Sequence, residues 1–440
     1  MPRQAHNTET RNPSYNELVS WLYSLQKYGI KFGLSRTSNL LEAFDNPHRG
    51  QRYIHIAGTN GKGSVGAMLE SILLKTGLRV GFYSSPHLVS FTERFRINRQ
   101  LIDKASAASL IGELKGVTSR KEPPTFFELT TAMALIYFFR NKVDVGIVEV
   151  GMGGRLDATN VIRPMVSIIT NIGLEHQEFL GHTVGDIAKE KGGIIKEGID
   201  LVTAVNQPSV IDLFVFLCRE KGAPFWRLGH DAHYRKLRSG LLGYYGLRDR
   251  YRDLELGLKG RFQHRNAALA LLTSEILKER GLTISEGAVR SGLADVMWPG
   301  RFEMVCSDPA MILDGAHNPA AMRSLARSIA NEVDFERMIL VLGVMVDKDI
   351  SNILREIVPL ANMVIYTRPK YYRAADPQHL SERAKQFRKA GEVHSSLPAA
   401  IDRARGLAGK RDLILITGSL FTVGEAKSYL DPLGSPTEDI

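Results

Sequence analysis

Cysteine is nearly absent from this 440-residue chain: only Cys218 and Cys306 occur, far apart and in no metal-ligand spacing. That excludes a disulfide framework or a cysteine-built metal knuckle, and it fits a reducing compartment, so a cytoplasmic location is expected, with both cysteines in a core. Apolar runs long enough to span a bilayer are also missing, so no membrane association is expected. The N-terminal stretch MPRQAHNTETRNPSYN has no apolar centre of the kind a signal peptide needs and reads as a frayed tail. No short repeat or low-complexity tract is present, which excludes solenoids. A concentrated basic patch is lacking too. The formal charge is +10, but Lys and Arg are spread along the chain apart from a cluster at Arg235–Arg252. Nucleic acid is therefore not the expected partner, and small polyanionic substrates fit the charge as well.

What is present is ordinary globular material, 44% hydrophobic and 24% charged, in a chain longer than one core usually serves. Short apolar runs alternate with helical patterns, which predicts an α/β fold with mainly parallel sheets. The expected strands are Tyr53–Ala57, Arg79–Tyr83, Val143–Val150, Met165–Thr170 and Leu201–Val205, then Met311–Leu313, Met338–Leu342, Met363–Thr367 and Leu413–Thr417. Many are apolar throughout, as strands covered on both faces are. Expected helices include Val65–Thr76, Phe127–Asn141 and Asn266–Arg280. Trp298-Pro299-Gly300 breaks a helical stretch, so two domains are expected, 1–298 and 299–440. Residues 229–258, rich in Gly, Arg and Tyr, predict a small antiparallel excursion.

The sharpest local pattern is Tyr53-Ile-His-Ile-Ala-Gly58-Thr59-Asn60-Gly61-Lys62-Gly63-Ser64 ahead of a helix. A strand, a glycine-rich turn and a helix N-terminus present backbone N–H groups to phosphate oxygens. Lys62 adds a point charge for the β- and γ-phosphates. The usual phosphate-loop spacing is incomplete: its first glycine would fall at Ile56, and Gly63 follows the lysine, which displaces the metal-binding hydroxyl to Ser64 or elsewhere. The bland alternative is a glycine-rich turn with a solvated lysine.

Other polar residues fall at strand ends, where open α/β sheets hold ligands. Glu149 closes one strand before Gly151-Met152-Gly153-Gly154 and suits Mg²⁺; otherwise it is a surface acid at a turn. His176 follows the next strand and becomes a second metal contact if the two strands are neighbours. Lys191 sits against two glycines and two isoleucines in Ala188-Lys189-Glu190-Lys191-Gly192-Gly193-Ile194-Ile195, which suggests close packing and an amine able to lose its proton. Asp314 and His317, in Asp314-Gly315-Ala316-His317-Asn318-Pro319, suit ribose or phosphate contacts, or else form a turn that caps the next helix.

Together the stretches HIAGTNGKGS, YSSPHL, FFELTTAMA, VEVGMGGRLDATN, LEHQEFLGHT, AKEKGGIIK, HRNAALA, WPGRFE, ILDGAHNP, LGVMVDKD and ITGSLFTVGE resemble the folylpolyglutamate synthase/dihydrofolate synthase family, the folate branch of the Mur ligases. The resemblance runs in order from about Ile30 to Glu425. It implies an N-terminal ATPase domain of the P-loop type and a C-terminal Rossmann-like domain, with ATP, Mg²⁺ (two ions) and a monovalent cation such as K⁺ as cofactors. Its implied substrates are dihydropteroate, reduced folates and L-glutamate, acted on by a monomer. By resemblance Gly58 to Ser64, Asn266, Arg301, Asp314 and His317 contact ATP. Ser85, Glu149, His176 and Lys191, the last as a carbamate, hold the metals. Thr125, Phe126, Phe127, Glu128, Leu156, Asp157 and Ala158 match the pterin-acid region of bifunctional members. The implied catalytic set is Lys62, Lys191, His176 and His317. One departure is Glu175, where the family more often has Asp before the histidine.

Overall fold

The computed structural model describes residues 13–431 apart from positions 30 and 120, so most of the N-terminal tail, residues 1–12, lies outside them. Its first sheet contains β1 (Tyr53–Ala57), β2 (Val80–Tyr83), β3 (Phe95–Ile97), β4 (Gln100–Leu101), β5 (Val145–Glu149), β6 (Val166–Ile169), β7 (Asp200–Thr203) and β8 (Phe225–Arg227). The spatial order is β4-β3-β2-β5-β1-β6-β7-β8. All neighbours pair in parallel except β2–β3 and β3–β4, which form an antiparallel edge. Strands β1, β2, β5, β6 and β7 are buried at every position, because helices cover both faces. The strands leading to Glu149 and His176 are not neighbours, contrary to expectation: β5 and β6 flank β1, the strand feeding the glycine-rich turn, and the loop after β6 carries His176 to the same end of the sheet.

The helix Lys62–Leu74 after that turn is buried from Ser64 to Leu73 and has little amphipathic character, as a helix packed all round must. Gly66 lets it rest on the Phe82 ring, and Gly292 of the helix Glu286–Ala294 meets the backbone of Ile72. Its one buried acid, Glu70, is paired by Arg96 at 2.6 Å. The Arg96 guanidinium lies over both Phe82 and Trp298, whose rings stack at 5.4 Å.

The excursion at 229–258 is a three-stranded antiparallel sheet, β9 (His233–Lys236), β10 (Leu242–Tyr245) and β11 (Arg250–Leu254), as expected. The second large sheet holds β12 (Glu303–Ser307), β13 (Ala310–Asp314), β14 (Met338–Leu342), β15 (Met363–Tyr366), β16 (Glu392–Val393) and β17 (Leu413–Thr417). Its order is β12-β13-β17-β14-β15-β16, parallel but for β12. Among the described residues, no helix is long and apolar enough to cross a membrane.

Expected elements differ from observed ones mainly at their ends. The helix expected from Asn266 starts at Arg261, because Gly260 at φ +99° is where the chain leaves its extended path. Trp298 does not interrupt a helix: the preceding one already ends at Ala294, and the partly buried indole packs against the first sheet's core. Cys218 is buried, but Cys306 is only half-buried on the edge strand β12 and is not the core residue expected.

Candidate active site

The glycine-rich turn is built by close approaches that only glycine permits. Gly58 has φ +142°, and a Cβ there would lie 1.9 Å from Thr170 Oγ1. Gly61, at φ +88°, starts the helix with no side-chain cap, so the first N–H groups of Lys62–Leu74 stay free for a ligand. Asn171 anchors the turn from the end of β6. Its side chain accepts from the Asn60 N–H at 2.9 Å and donates to the Asn60 carbonyl at 2.9 Å.

The turn opens into a cleft of about 340 Å³ between the two sheets. Its walls include Thr59 to Ser64, Ser85, Glu149, Glu175, His176, Asn266, Arg301, Asp314 and His317. Most residues expected at the nucleotide and metal sites thus share one cavity. Gly58 and Lys191 lie immediately behind it. Lys191 Nζ donates to the Gly58 carbonyl at 3.1 Å, and Lys62 Nζ donates to the same oxygen at 3.0 Å.

Lys191 is 2% exposed and paired with Glu175 at 2.7 Å. Burial lowers its pKa, Lys62 adds to that, and Glu175 opposes it. Burial pushes Glu175 the other way from its net shift: Lys191 and Lys62 overcome desolvation and hold it ionised. His176 has a left-handed backbone, φ +46°, where the chain turns sharply out of the β6 loop. Burial takes its pKa down to about 4, so it is neutral near pH 7, the form that can bind a metal. His317 is likewise lowered to about 4 by burial, and its Nδ1 lies 2.8 Å from the Gly315 carbonyl. A carbonyl only accepts, so Nδ1 carries the hydrogen and Nε2 keeps its lone pair.

Glu149 is 5% exposed, and burial raises its pKa against the pull of Lys62, Arg301 and Arg94. One of its oxygens accepts from the Ser85 backbone N–H at 3.3 Å, which sets the two residues side by side. Among the described residues no three His, Cys, Asp or Glu side chains gather around a metal position. The carboxylate of Glu149 is an oxygen donor of the kind Mg²⁺ takes, with water and substrate phosphates completing its shell.

Asp314 is only partly available. Its two oxygens accept from the Phe302 and Ala316 N–H groups at 2.9 and 2.8 Å. The helix that follows is capped not by Asp314 but by Asn318. The expected pterin-acid segments do not line the cleft. Thr125 and Glu128 cap the helix Phe126–Arg140 reciprocally, and Glu128 also binds Arg36 at 2.9 Å. Asp157 accepts from Met152 N–H and from Thr159. Phe127 presses on Gly151, so these segments do meet beside the end of β5. Sequence reasoning missed Asn171, Asn206, Gln207, Phe262, Arg265 and Ser324 among the lining residues. Asn171 alone carried a signal, as a polar residue directly after a strand.

The Mur ligase middle domain model matches residues 56–274, and the Mur ligase glutamate ligase domain model matches 300–420. The dihydrofolate synthase/folylpolyglutamate synthase of Bacillus subtilis is 34% identical over 430 residues, covering 95% of this chain and 99% of its own. The solved Mycobacterium tuberculosis folylpolyglutamate synthase complexed with ADP is 34% identical, covers 96% and 99%, and superposes with a TM-score of 0.89. A bifunctional folylpolyglutamate synthase/dihydrofolate synthase with Mn, AMPPNP and L-glutamate bound is 31% identical, covers 96% and 100%, and gives 0.85. With two lobes lining one cleft and relatives matched along almost their whole length, this chain belongs to the folylpolyglutamate synthase/dihydrofolate synthase family of Mur ligases, ADP-forming enzymes that join an acid to an amino acid.

Proposed function

We propose that the chain phosphorylates the carboxylate of a pterin or folate acid with ATP and joins the product to the amine of L-glutamate, accepting both dihydropteroate and reduced folates. The observation that carries this reading is the meeting of Lys62, Glu149 and His176 from the first lobe with Arg301 and His317 from the second in one cleft. Lobes divided at 298/299 would then close on the substrates as a working monomer.

The acceptor carboxylate oxygen attacks the γ-phosphorus, ADP leaves, and an acyl phosphate forms. The glutamate amine then attacks the acyl carbon; phosphate leaves and the amine's proton is lost. Lys62 and the free amides of the turn offset the charge that spreads over the transferred phosphoryl oxygens. The nucleoside is assigned to the far end of the cleft. Asn266 lies against Gly61, and Phe262 and Arg265 extend from it along the same helix, facing Ala320, Ala321 and Ser324. His317 leaves Nε2 as an acceptor toward the incoming amine. Closing the lobes excludes the water that would hydrolyse an acyl phosphate.

Ser85 and Glu149 would hold one Mg²⁺, and neutral His176 with a carbamylated Lys191 a second; a K⁺ site is also part of this reading. Bound metal supplies positive charge to the phosphate and carboxylate oxygens. Thr125–Glu128 and Leu156–Ala158 are assigned to the acceptor ring on the strength of their position beside the end of β5. The test is mass spectrometry of products formed with ATP, Mg²⁺, L-glutamate and each acceptor. Both dihydropteroate and a reduced folate should gain a glutamyl residue. Unchanged dihydropteroate beside a converted folate would reduce the enzyme to a polyglutamylase.

A further inference from the structure

A pair of side-chain amides bridges the two lobes at the phosphate loop. Asn318 Nδ2 donates to Asn60 Oδ1 at 2.9 Å, and Asn60 Nδ2 donates back to Asn318 Oδ1 at 3.3 Å. Both partners are fixed from behind. Asn60 is held through its backbone by Asn171 and by the Thr170 hydroxyl, which donates to its carbonyl at 2.7 Å. Asn318 is 6% exposed, and its Oδ1 also accepts from Ala321 N–H at 2.8 Å, capping the helix Pro319–Glu332. The Asn318 side chain cannot turn away without also breaking its cap to the Ala321 N–H, and the Asn60 backbone is held in place behind the pair.

The neighbours give the pair its consequence. Asn60 directly precedes Gly61 and Lys62, while Asn318 directly follows Asp314 to His317, which line the opposite wall. Other polar contacts between the lobes meet this helix further along: Arg261 N–H on the Ser328 hydroxyl at 3.0 Å, and Lys236 on Glu332. We infer that Asn318 is a positioning residue that clasps the second lobe to the phosphate loop, so that lobe closure and the spacing of Lys62 from His317 form a single two-state element. The clasp is neutral and self-complementary, so it needs no ionised partner near the nucleotide. This deepens the proposed ligase reading and rests on it only for the kinetic arm of the test.

Asn318→Ser keeps a competent helix cap but is too short to reach Asn60. Loss of two hydrogen bonds should lower kcat about tenfold, with the thermal midpoint nearly unchanged. In a cycle with Asn60→Ser, Asn318→Ser should change kcat/KM less than about twofold when Asn60 is already substituted. Wild-type turnover in Asn318→Ser, or losses that multiply in the double variant, would overturn the clasp. An independent readout is solution scattering with Mg²⁺ and a non-hydrolysable ATP analogue, which needs no ligation. Asn318→Ser should show a larger radius of gyration than the unsubstituted protein, and equal radii would refute the inference even if no ligase product were found.

Discussion

Lys62→Ala is expected to lower ligase turnover by about 10³-fold while the folded state survives. The ammonium group rests on the Gly58 carbonyl at 3.0 Å, inside the turn whose free amides face the cleft. Its charge acts on Glu149, Glu175, His176 and Lys191, favouring the ionised acids and the neutral imidazole and amine. No other lysine of the turn could replace it. Alanine is the best helix former, and position 62 is the first residue of its helix, so the scaffold should tolerate the change. Steady-state turnover at saturating ATP, measured beside a thermal melt, separates the two effects. Full activity in the variant would remove the turn from the chemistry.

Lys191→Ala should be almost inactive and should recover part of its turnover with added acetate or formate. Two ammonium groups sharing one carbonyl oxygen repel each other, and the fully enclosed one is the more easily neutralised. A neutral Lys191 amine can bond to the carbon of CO₂ with release of a proton, which converts a cation into an anionic oxygen ligand. A small carboxylate diffusing into the space left by the side chain would restore that anion. In protein whose Lys191 is still an ammonium, the deletion also strands Glu175 without that partner, so a stability loss of about 3 kcal/mol is expected there. Normal turnover without additive would show that no carbamate is needed. Absence of any recovery would show that Lys191 acts as an amine.

The glycine turn, the strands around it and the two-lobed plan were legible because each rests on local chemistry: φ freedom, apolar runs, and a helix start. Glu149 and His176 were legible because strand ends fix their place before any packing is known. What stayed hidden was set by pairing across distance. The Glu175–Lys191 contact spans a turn and a helix, and Asn318 reads as a local cap until Asn60 is placed opposite it. The short edge strands β3, β4 and β16 carry too few residues to show a period. Trp298 looked like a helix break because Pro299 and Gly300 follow it. Its packing depends on Phe82 and Arg96, some 200 positions earlier.

That indole has an optical consequence. Its edge lies 2.7 Å from where a Cβ on Gly63 would fall, so it packs against the turn proposed to wrap the phosphates. The two remaining indoles, Trp21 and Trp226, sit under Lys115 and beside Asp200. If the proposed nucleotide site is right, light emission from Trp298 is expected to change on addition of ATP, readable without a label or a coupled assay.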